Sequence, residues 1–578
     1  MDRLAAEFAR VMSSFTPIPP PLTISVEGGS PTFTVDLVEM RVTAPGYWEE
    51  VRHLGELIGH EVKHASADGL PYTYRSALLY EALVMKRLEV PLDVARHLLN
   101  VVYDVVSDLR VAKEGLDVRG ANSEWLKRFP VTPDAEGTTY HLLQILNKDF
   151  FGVRLRKTRY EEDLRGKTAF DELKRILASL AEAPPLQRDP LMVARAAEII
   201  YNLSRAEPPE GGMDGGRGGQ RQEGSGQGDR REGGREPREG PSAGQRGREE
   251  PGQRGDSSQG SSQGGEEGGE EGPREGGLRS PCDVVFDRSD PKVRAEAVEV
   301  GVEVGLSERQ LAQLLGLPPG TGGANRIIEE AIEEKVRAAL WEKIVGFKDL
   351  FMEAMMHVVK EPAPRRWRPY SRRVDPSSVA RAPDDPRRWR EPSLEGALTV
   401  EQEGEAGGFS KLVMLVDCSG STEAFYGERT VLGYIKDAAY GLLAYARRFS
   451  LPAAVIAFNN AAHLISPESR DYLSHAKRIF TLRPSGGTNL GAAVEGAIGL
   501  KPKNALIAVL TDGLVREGDL LRLAEQAEAN RVVAAVFSNE EGIRRVREVA
   551  GKVHIYVVKP DEAGRTIVSE LPKPLLKA

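Results

Sequence analysis

Residues 411–421 read KLVMLVDCSGS, and this stretch decides the fold of the C-terminal part of the chain. Its apolar run has no polar interruption, which is typical of a strand buried on both faces of a parallel sheet. Four further apolar runs follow and alternate with segments of helical periodicity. They are PAAVIAF (452–458), NALIAVLTD (504–512), RVVAAVF (531–537) and KVHIYVV (552–558). The pattern predicts an α/β fold with a parallel sheet, whose ligands bind at the carboxyl ends of the strands.

Three loops at these predicted strand ends carry oxygen donors: residues 417–421, 485–488 and 511–513. Hard divalent cations prefer oxygen ligands, and Mg²⁺ keeps several of its waters. Three hydroxyls and two carboxylates therefore predict a Mg²⁺ site, which Mn²⁺ or Ca²⁺ would also fit. The donors are Asp417, Ser419, Ser421, Thr488 and Asp512. The alternative is that the two carboxylates only cap helices and accept loop amides.

This set of motifs resembles the metal-ion-dependent adhesion site (MIDAS) of von Willebrand factor type A (VWA) domains, over about residues 409–575. The resemblance implies a Rossmann-like α/β domain in which Ser419, Ser421 and Thr488 coordinate the cation directly. The two carboxylates would act mainly through bound waters. The open coordination position would accept a carboxylate from a protein partner, so the resemblance implies protein–protein interaction.

A second candidate site lies near the N-terminus, where residues 48–65 read WEEVRHLGELIGHEVKHA. Apolar residues at helical spacing predict an amphipathic helix. His60 and His64 are four residues apart, so both imidazoles lie on one face and can bind one zinc ion. Glu61 lies beside them and would be the general base of a zinc-dependent hydrolase. The alternative is a surface helix with two solvated histidines.

A catalytic zinc ion needs a third protein ligand. The helix predicted over Pro91–Lys113 carries Asn100, Asp104 and Asp108 on one face, while valines fill the others. A carboxylate on the inner side of an apolar helix is costly unless it is paired or metal-bound. We therefore expect Asp104 to be the third ligand, with Asp108 or Asn100 holding the histidines by hydrogen bonds. The competing ligands are Glu81, His97 and His53. A solvated helix face or ion pairs along the helix are the alternative for both aspartates.

The overall charge excludes some classes of protein. The chain has 578 residues, with 78 basic against 86 acidic side chains and a net charge of -8. This balance argues against attachment to nucleic acid or a membrane by bulk charge. No apolar run approaches the ~20 residues that span a bilayer. Two cysteines cannot form a disulfide framework, which fits a reducing cytoplasm. The sequence predicts a cytoplasmic protein.

Composition divides the chain into four parts. Residues 206–280 are rich in Gly, Glu and Arg and contain no Val, Ile, Phe, Tyr or Trp, which predicts a disordered linker. Residues 1–205 before it are predicted to form a mostly helical domain. Residues 281–400 are predicted to be a helical segment followed by a basic arm, and residues 409–575 form the sheet domain.

Shorter patterns add detail. Alternating residues predict a strand pair at 22–28 and 32–42, and helical spacing predicts helices over 46–65 and 325–359. The basic arm 364–390 contains PRRWR twice. Arg and Trp together can stack on bases or grip an acidic surface. Proline-broken arms with Trp more often pack on their own domain, and the negative net charge disfavours nucleic-acid binding.

The order of the parts resembles a prokaryotic family of two-module proteins, in which a metallopeptidase-like domain precedes a VWA domain. In that family an Asn-x-x-x-Asp-x-x-x-Asn helix follows the His-Glu-x-x-His (HExxH) helix. Asn100 and Asp104 match this pattern, and Asp108 replaces the final Asn. The resemblance implies a zinc-dependent hydrolase fold and a MoxR-type AAA+ ATPase as a partner.

Two functions fit these observations. The first is a zinc metallopeptidase whose substrate is captured by a Mg²⁺-dependent protein-binding domain. The second is a non-catalytic adaptor that works with a MoxR-type AAA+ ATPase in protein assembly or metal insertion. A cobaltochelatase-like adaptor is a variant of the second function, and the HExxH segment favours the two-module family over it.

Overall fold

The computed structural model describes most of the chain outside the Gly-rich segment and the basic arm. The described residues are 2–15, 17–28, 30, 32–132, 135–184, 188–204, 282–318, 322–346, 410–502, 505–530, 533–538 and 554–557. The predicted linker 206–280 and the basic arm 364–390 lie outside them. The described parts confirm a multidomain chain with a mostly helical N-terminal region and a C-terminal α/β domain. No helix in these ranges is both long and apolar enough to cross a bilayer.

Helices dominate the N-terminal region and enclose an apolar core. Their bounds are Asp2–Ser14 (α1), Leu54–Ala65 (α2), Tyr74–Leu88 (α3), Leu92–Lys113 (α4), Val118–Arg128 (α5), Thr139–Phe151 (α6), Arg159–Arg165 (α7), Thr168–Glu182 (α8) and Pro190–Leu203 (α9). The helix predicted over 91–113 is thus present. Helix α2 begins later than its apolar pattern suggests, because the carboxylate of Glu124 accepts the Arg52 and His53 amides at 3.1 Å and so caps the chain there.

A small sheet lies beside these helices. Its strands are Thr23–Glu27 (β1), Phe33–Asp36 (β2), Arg41–Pro45 (β3) and Cys282–Val285 (β4), in the order β1-β3-β2-β4. The predicted strand at 32–42 is therefore two strands. The Asp36 carboxylate accepts the Val38 and Glu39 amides at 2.8 Å, and Met40 has a positive φ of 51°, so the chain turns and β3 separates β1 from β2.

The segment that follows the Gly-rich part returns to the N-terminal region. Strand β4 pairs in parallel with β2 at the edge of the small sheet. Helix Pro291–Val304 (α10) packs on α3, and Glu308–Leu314 (α11) follows it. Helix Gly322–Gly346 (α12) covers the first part of the predicted helix 325–359, and residues 347–359 lie outside the described ranges.

The C-terminal region contains the predicted parallel sheet. Its strands are Lys411–Asp417 (β5), Ala453–Phe458 (β8), Ala462–Ser469 (β9), Ala505–Leu510 (β10), Val533–Ser538 (β11) and His554–Val557 (β12). Their order is β12-β11-β10-β5-β8-β9, and the five strands other than β9 run parallel. Every residue of β8 and β10 is buried, as expected for a sheet covered on both faces. Strand β9 was not predicted and runs antiparallel at the edge.

Shorter elements complete the C-terminal region. They are the two-residue strands Phe425–Tyr426 (β6) and Arg429–Thr430 (β7) and the helices Val431–Arg448 (α13), Tyr472–Phe480 (α14), Leu490–Gly499 (α15) and Glu517–Asn530 (α16). Strands β6 and β7 form a hairpin between the first oxygen-donor loop and α13. Helix α12 packs against α13 and α14 and also against α10, which itself packs on α3.

Candidate metal centres

Helices α2 and α4 bring three predicted zinc ligands together. His60, His64 and Asp104 each offer a ligand atom, and these atoms lie within 4.8 Å of one another. The Nε2 atoms of the two histidines are 3.0 Å apart, and Asp104 Oδ1 lies 3.4 Å from His60 Nε2. Tetrahedral zinc with bonds of about 2.0–2.1 Å would separate its ligand atoms by about 3.3 Å. We call these three side chains the histidine cluster.

Hydrogen bonds at the Nδ1 atoms orient both rings. His60 Nδ1 lies 2.6 Å from Asp108 Oδ1, and His64 Nδ1 lies 2.7 Å from the carbonyl oxygen of Leu70. A carbonyl oxygen can only accept, so His64 carries its proton on Nδ1 and directs the Nε2 lone pair into the cluster. The carboxylate of Asp108 fixes His60 in the same way, with its own second oxygen accepting from Asn122 at 2.7 Å.

The facing Nε2 atoms require a proton or a cation between them. Burial opposes the charged form of His60, but the carboxylates of Asp108 and Asp104 outweigh it and raise its pKa well above the ordinary value. Burial and the nearby charge of His60 lower the pKa of His64 to about 3. His60 is therefore the proton donor of the pair, and the Nε2 lone pair of His64 is the acceptor. The nitrogen and carboxylate donors of the cluster fit zinc.

Glu61 and the competing ligands occupy different places. Glu61 lies on α2 with a fully buried side chain. Glu81 pairs with Arg96 at 3.2 Å, and His97 hydrogen-bonds Thr139. His53 precedes α2 and its side chain is 30% exposed. None of these competitors belongs to the histidine cluster. A small pocket beside the cluster has His60 and Asp108 in its lining.

Two contacts of the histidine cluster were not predicted. The Leu70 carbonyl holds His64, and Ser107 Oγ lies 3.1 Å from the same Nδ1 atom, where Asn100 was a candidate. Every residue has a backbone carbonyl, so the sequence does not show which one will accept the hydrogen bond. Ser107 follows Asp104 by three residues on a helix, so its spacing was a usable signal.

The first oxygen-donor loop begins at the end of β5. Asp417 is fully buried; its Oδ1 accepts the Ser419 amide at 2.9 Å and its Oδ2 accepts the Thr511 hydroxyl at 2.6 Å. The hydroxyl oxygens of Ser419 and Ser421 are 3.0 Å apart. The loop therefore presents two neighbouring hydroxyls beside a buried carboxylate.

Backbone bonds join the loop 485–488 to the first loop, and the Thr511 hydroxyl joins the loop 511–513 to it through Asp417. The Gly420 amide donates to the Gly486 carbonyl at 2.8 Å, and the Ser485 amide donates to Cys418 at 2.8 Å. Thr488 is partly exposed just before α15, and Asp512 is buried after β10. The loops that carry the five predicted oxygen donors thus meet at the carboxyl edge of the sheet.

Electrostatics at this edge favour a cation. The pKa of Asp417 is raised to about 6, mainly by burial and to a lesser extent by the nearby charge of Asp512, while the hydrogen bonds from Thr511 and Ser419 oppose the rise. A divalent cation between the loops would stabilise both carboxylates in their charged form. Hydroxyl and carboxylate oxygens are the donors that Mg²⁺ prefers.

Cys418 lies within the same loop and has no catalytic geometry. Its side chain is 6% exposed, and its Sγ lies 3.3 Å from the Phe458 carbonyl. Burial raises the pKa of the thiol to about 11, which keeps it protonated. It packs against the core beside the oxygen donors.

Comparison with known proteins agrees with this fold. The von Willebrand factor type A domain family matches residues 412–514. Solved structures similar to the chain include BatB from Bacteroides thetaiotaomicron, with 18% identity over 29% of this chain and 99% of that one and a TM-score of 0.25. An aerotolerance-related membrane protein from Bacteroides fragilis has 19% identity over 28% of this chain and 98% of that one, with a TM-score of 0.25.

The VWA domain of SpRpn10 is also similar, with 16% identity over 28% of this chain and 92% of that one and a TM-score of 0.22. None of the curated proteins compared with the chain matches it. The TM-scores are low, so the assignment rests on the family match and on the strand order and loops described above. VWA domains generally mediate protein–protein interaction. The C-terminal region, over residues 412–514, is a von Willebrand factor type A domain.

Proposed function

We propose that the protein is a two-module metal-binding protein, in which a zinc-dependent, metallopeptidase-like N-terminal module works with a Mg²⁺-dependent protein-binding VWA domain. The observation that carries the proposal is the convergence of His60, His64 and Asp104 from two helices to within 4.8 Å. The histidine cluster would hold zinc. The oxygen donors of the VWA domain, Asp417, Ser419, Ser421, Thr488 and Asp512, would form a MIDAS and hold Mg²⁺, or Mn²⁺ or Ca²⁺ in its place.

The chain's own residues suit zinc for a physical reason. Both Nε2 atoms face the cluster because Asp108 and the Leu70 carbonyl hold the Nδ1 protons on the far sides of the rings. Such hydrogen-bond partners fix the tautomer and raise the basicity of a metal-ligating histidine. Zinc, when bound, supplies a Lewis acid that polarises a substrate carbonyl.

Glu61 would be the general base. It is the neighbour of His60 on α2, and its carboxylate would accept the proton of the attacking water and return it to the leaving amine. The VWA domain would capture a protein partner through a carboxylate that completes the Mg²⁺ shell. Its attachment to the same chain would raise the concentration of that partner near the zinc.

The test is metal analysis together with peptide cleavage by the wild type and by Glu61→Gln. We expect one zinc per chain in both proteins and a loss of cleavage of about 10²–10⁴-fold in the variant, which is the usual range for removal of a general base. Glu56→Gln is the matched control, because Glu56 lies on the same helix. Equal cleavage by wild type and Glu61→Gln would overturn the hydrolytic mechanism.

A second candidate function is favoured by the depth of the site. His64 and Glu61 are 0% exposed, which suits a zinc ion with a structural role. In this function the protein is a non-catalytic adaptor, and the VWA domain delivers it to a MoxR-type AAA+ ATPase in protein assembly or metal insertion. Capture of such an ATPase should require Mg²⁺ and disappear in Asp417→Ala. Capture that is unchanged without Mg²⁺ and in Asp417→Ala would count against the adaptor function.

A cytoplasmic location belongs to the same proposal. Cys418 is a buried free thiol, and the two cysteines of the chain fit a reducing compartment.

A further inference from the structure

The hairpin that follows the first oxygen-donor loop reaches the N-terminal helices. The Thr422 hydroxyl donates to the Ser419 carbonyl at 2.7 Å, and three residues later the chain enters β6. Gly427 and Glu428 form the turn between β6 and β7, with Gly427 at a positive φ of 63°. Glu428 thus lies seven residues after Ser421, at the tip of the hairpin.

The tip is seated on the N-terminus of α3. The Glu428 carboxylate accepts a hydrogen bond from the Ser76 hydroxyl, and it lies close enough to Tyr72 to raise the pKa of that hydroxyl beyond the effect of burial. Thr73 caps the same helix, with its hydroxyl accepting the Ser76 amide at 3.0 Å. A carboxylate at a helix N-terminus is also stabilised by the helix dipole. The VWA domain therefore contributes a charged acceptor to a helix of the other region.

The loop that carries Tyr72 also holds the histidine cluster. Residues 66–73 connect α2 to α3, and within them the Leu70 carbonyl accepts the Nδ1 proton of His64 at 2.7 Å. Arg188 donates to the Asp68 and Gly69 carbonyls and fixes the first half of the loop. In the second half of the 66–73 loop, Tyr72 lies near Glu428. Leu70 and Tyr72 are two residues apart.

Ion pairs hold the β6–β7 hairpin in this position against α3. Arg429, next to Glu428, donates to Glu299 of α10. Arg75 of α3 donates to Glu299 at 2.9 Å and to Glu303 at 3.2 Å, so α3, α10 and the hairpin share one set of buried charges. Removing one partner from such a set leaves charges uncompensated, which is costly. The position of Glu428 over Tyr72 and Ser76 is therefore well fixed.

We propose that Glu428 is a positioning residue for the N-terminal metal site, through which the VWA domain fixes the loop that orients His64. The proposal rests on the proposed zinc site at the histidine cluster. Because Glu428 follows the first oxygen-donor loop so closely, the occupancy of one metal site would affect the affinity of the other, and by linkage the effect would be equal in both directions.

The experiment measures Co²⁺ binding to the full chain, in excess Mg²⁺ so that the oxygen-donor site is filled. Visible absorption of Co²⁺ reports its coordination geometry as well as its affinity. We expect Glu428→Ala to weaken Co²⁺ binding at the histidine cluster by about fivefold or more, the usual lower limit for coupled sites, and to change the spectrum. Glu428→Gln keeps an acceptor for the Ser76 hydroxyl and should restore the wild-type spectrum and affinity.

Glu423→Ala is the matched control. Glu423 lies in the same connection and contacts Lys86 at 3.4 Å, but its side chain is 61% exposed and it does not touch the 66–73 loop. We expect this variant to bind Co²⁺ as the wild type does. If Glu428→Ala does not fold, Tyr72→Phe replaces it, since this change removes only the hydroxyl that lies near Glu428, and the same weakening is expected.

The outcomes separate this proposal from the proposed function. A wild type whose Co²⁺ spectrum is unchanged by His64→Ala would overturn both the zinc site and the role of Glu428. A wild type that binds Co²⁺ at the cluster, with Glu428→Ala and Tyr72→Phe identical to it, would overturn the role of Glu428 alone. Equal weakening in Glu423→Ala would also overturn it, because the effect would then belong to the whole connection.

Discussion

The histidine cluster and the oxygen-donor loops are two ways to build a candidate metal site in one chain. The cluster takes its ligands from two helices, and His60, His64 and Asp104 are at most 4% exposed. The loops take theirs from the carboxyl edge of a sheet, where Ser421 and Thr488 remain partly exposed. The first arrangement encloses its ligands within the core, whereas the second faces outward.

This difference predicts which metal each site should bind and how readily that metal should exchange with solution. Imidazole nitrogens held by hydrogen bonds on rigid helices favour zinc and slow release. Hydroxyl oxygens on loops favour Mg²⁺, which keeps waters and leaves positions open to a partner. We expect a tightly held zinc and an exchangeable Mg²⁺.

The largest effect is expected from His64→Ala. Loss of a direct ligand should lower zinc affinity by more than about 100-fold, beyond the 10–100-fold cost of changing a hydrogen-bond partner of a ligand. Metal analysis after dialysis measures it. His53→Ala is the control, since that histidine precedes α2 and pairs only weakly with Glu56 at 3.8 Å. If His64→Ala kept the zinc content of the wild type, the histidine cluster would not be the zinc site.

A large effect is also expected from Asp417→Asn on Mg²⁺. The change removes a negative charge that would act on the cation mainly through bound water, and even at an effective dielectric constant of about 20 two unit charges 4 Å apart interact by about 4 kcal/mol. We expect a loss of Mg²⁺ affinity of at least about tenfold by calorimetry. Asp471→Asn, at the cap of α14, should leave the affinity unchanged. Equal losses of Mg²⁺ affinity in Asp417→Asn and Asp471→Asn would favour the alternative that Asp417 only caps a helix and accepts loop amides.

A smaller effect is expected from Asp108→Asn. Asparagine still accepts from His60 Nδ1 but carries no charge, so the basicity of His60 as a ligand falls. We expect zinc affinity to fall by about tenfold, at the low end for a partner of a metal ligand. Competition with a coloured chelator measures it, with Glu114→Gln as the control, because Glu114 contacts Lys63 and not the cluster. An unchanged affinity would show that the contact with Asp108 does not tune the site.

The smallest effect is expected from withdrawing Mg²⁺. A ligand present at its own Kd stabilises a protein by about 0.4 kcal/mol, whereas one at 1,000 times its Kd adds about 4.1 kcal/mol. Removal of Mg²⁺ near its Kd should therefore hardly change the free energy of unfolding, and chelation of zinc should change it strongly. Unfolding curves with selective chelators compare the two, and equal shifts would contradict the proposed difference.

The sequence predicted those features that local geometry determines. The buried strands of the VWA domain were recognisable because each is an unbroken apolar run, and α4 was recognisable from its helical spacing. The same spacing placed Asp104 on the inner face, where the structure puts it beside His60 and His64. A rigid helix transmits sequence spacing directly into space.

Features that depend on distant contacts were not predicted. Strand β9 has a single buried residue and a proline, so its sequence lacks a buried pattern. Strand β4 joins β2 across more than two hundred residues, and Leu70 acts through a backbone carbonyl. The contact of Glu428 with Tyr72 and Ser76 joins two regions whose sequences show no common pattern.

Strand β4 has a practical consequence for dividing the molecule. A fragment ending at residue 205 would lack β4 and leave the backbone amides and carbonyls of β2 without their neighbour. An uncovered strand edge of this kind is a template for pairing with another copy, so the fragment should self-associate. A fragment that extends through α11 would bring its own covering strand, and it is the shorter one that should precipitate.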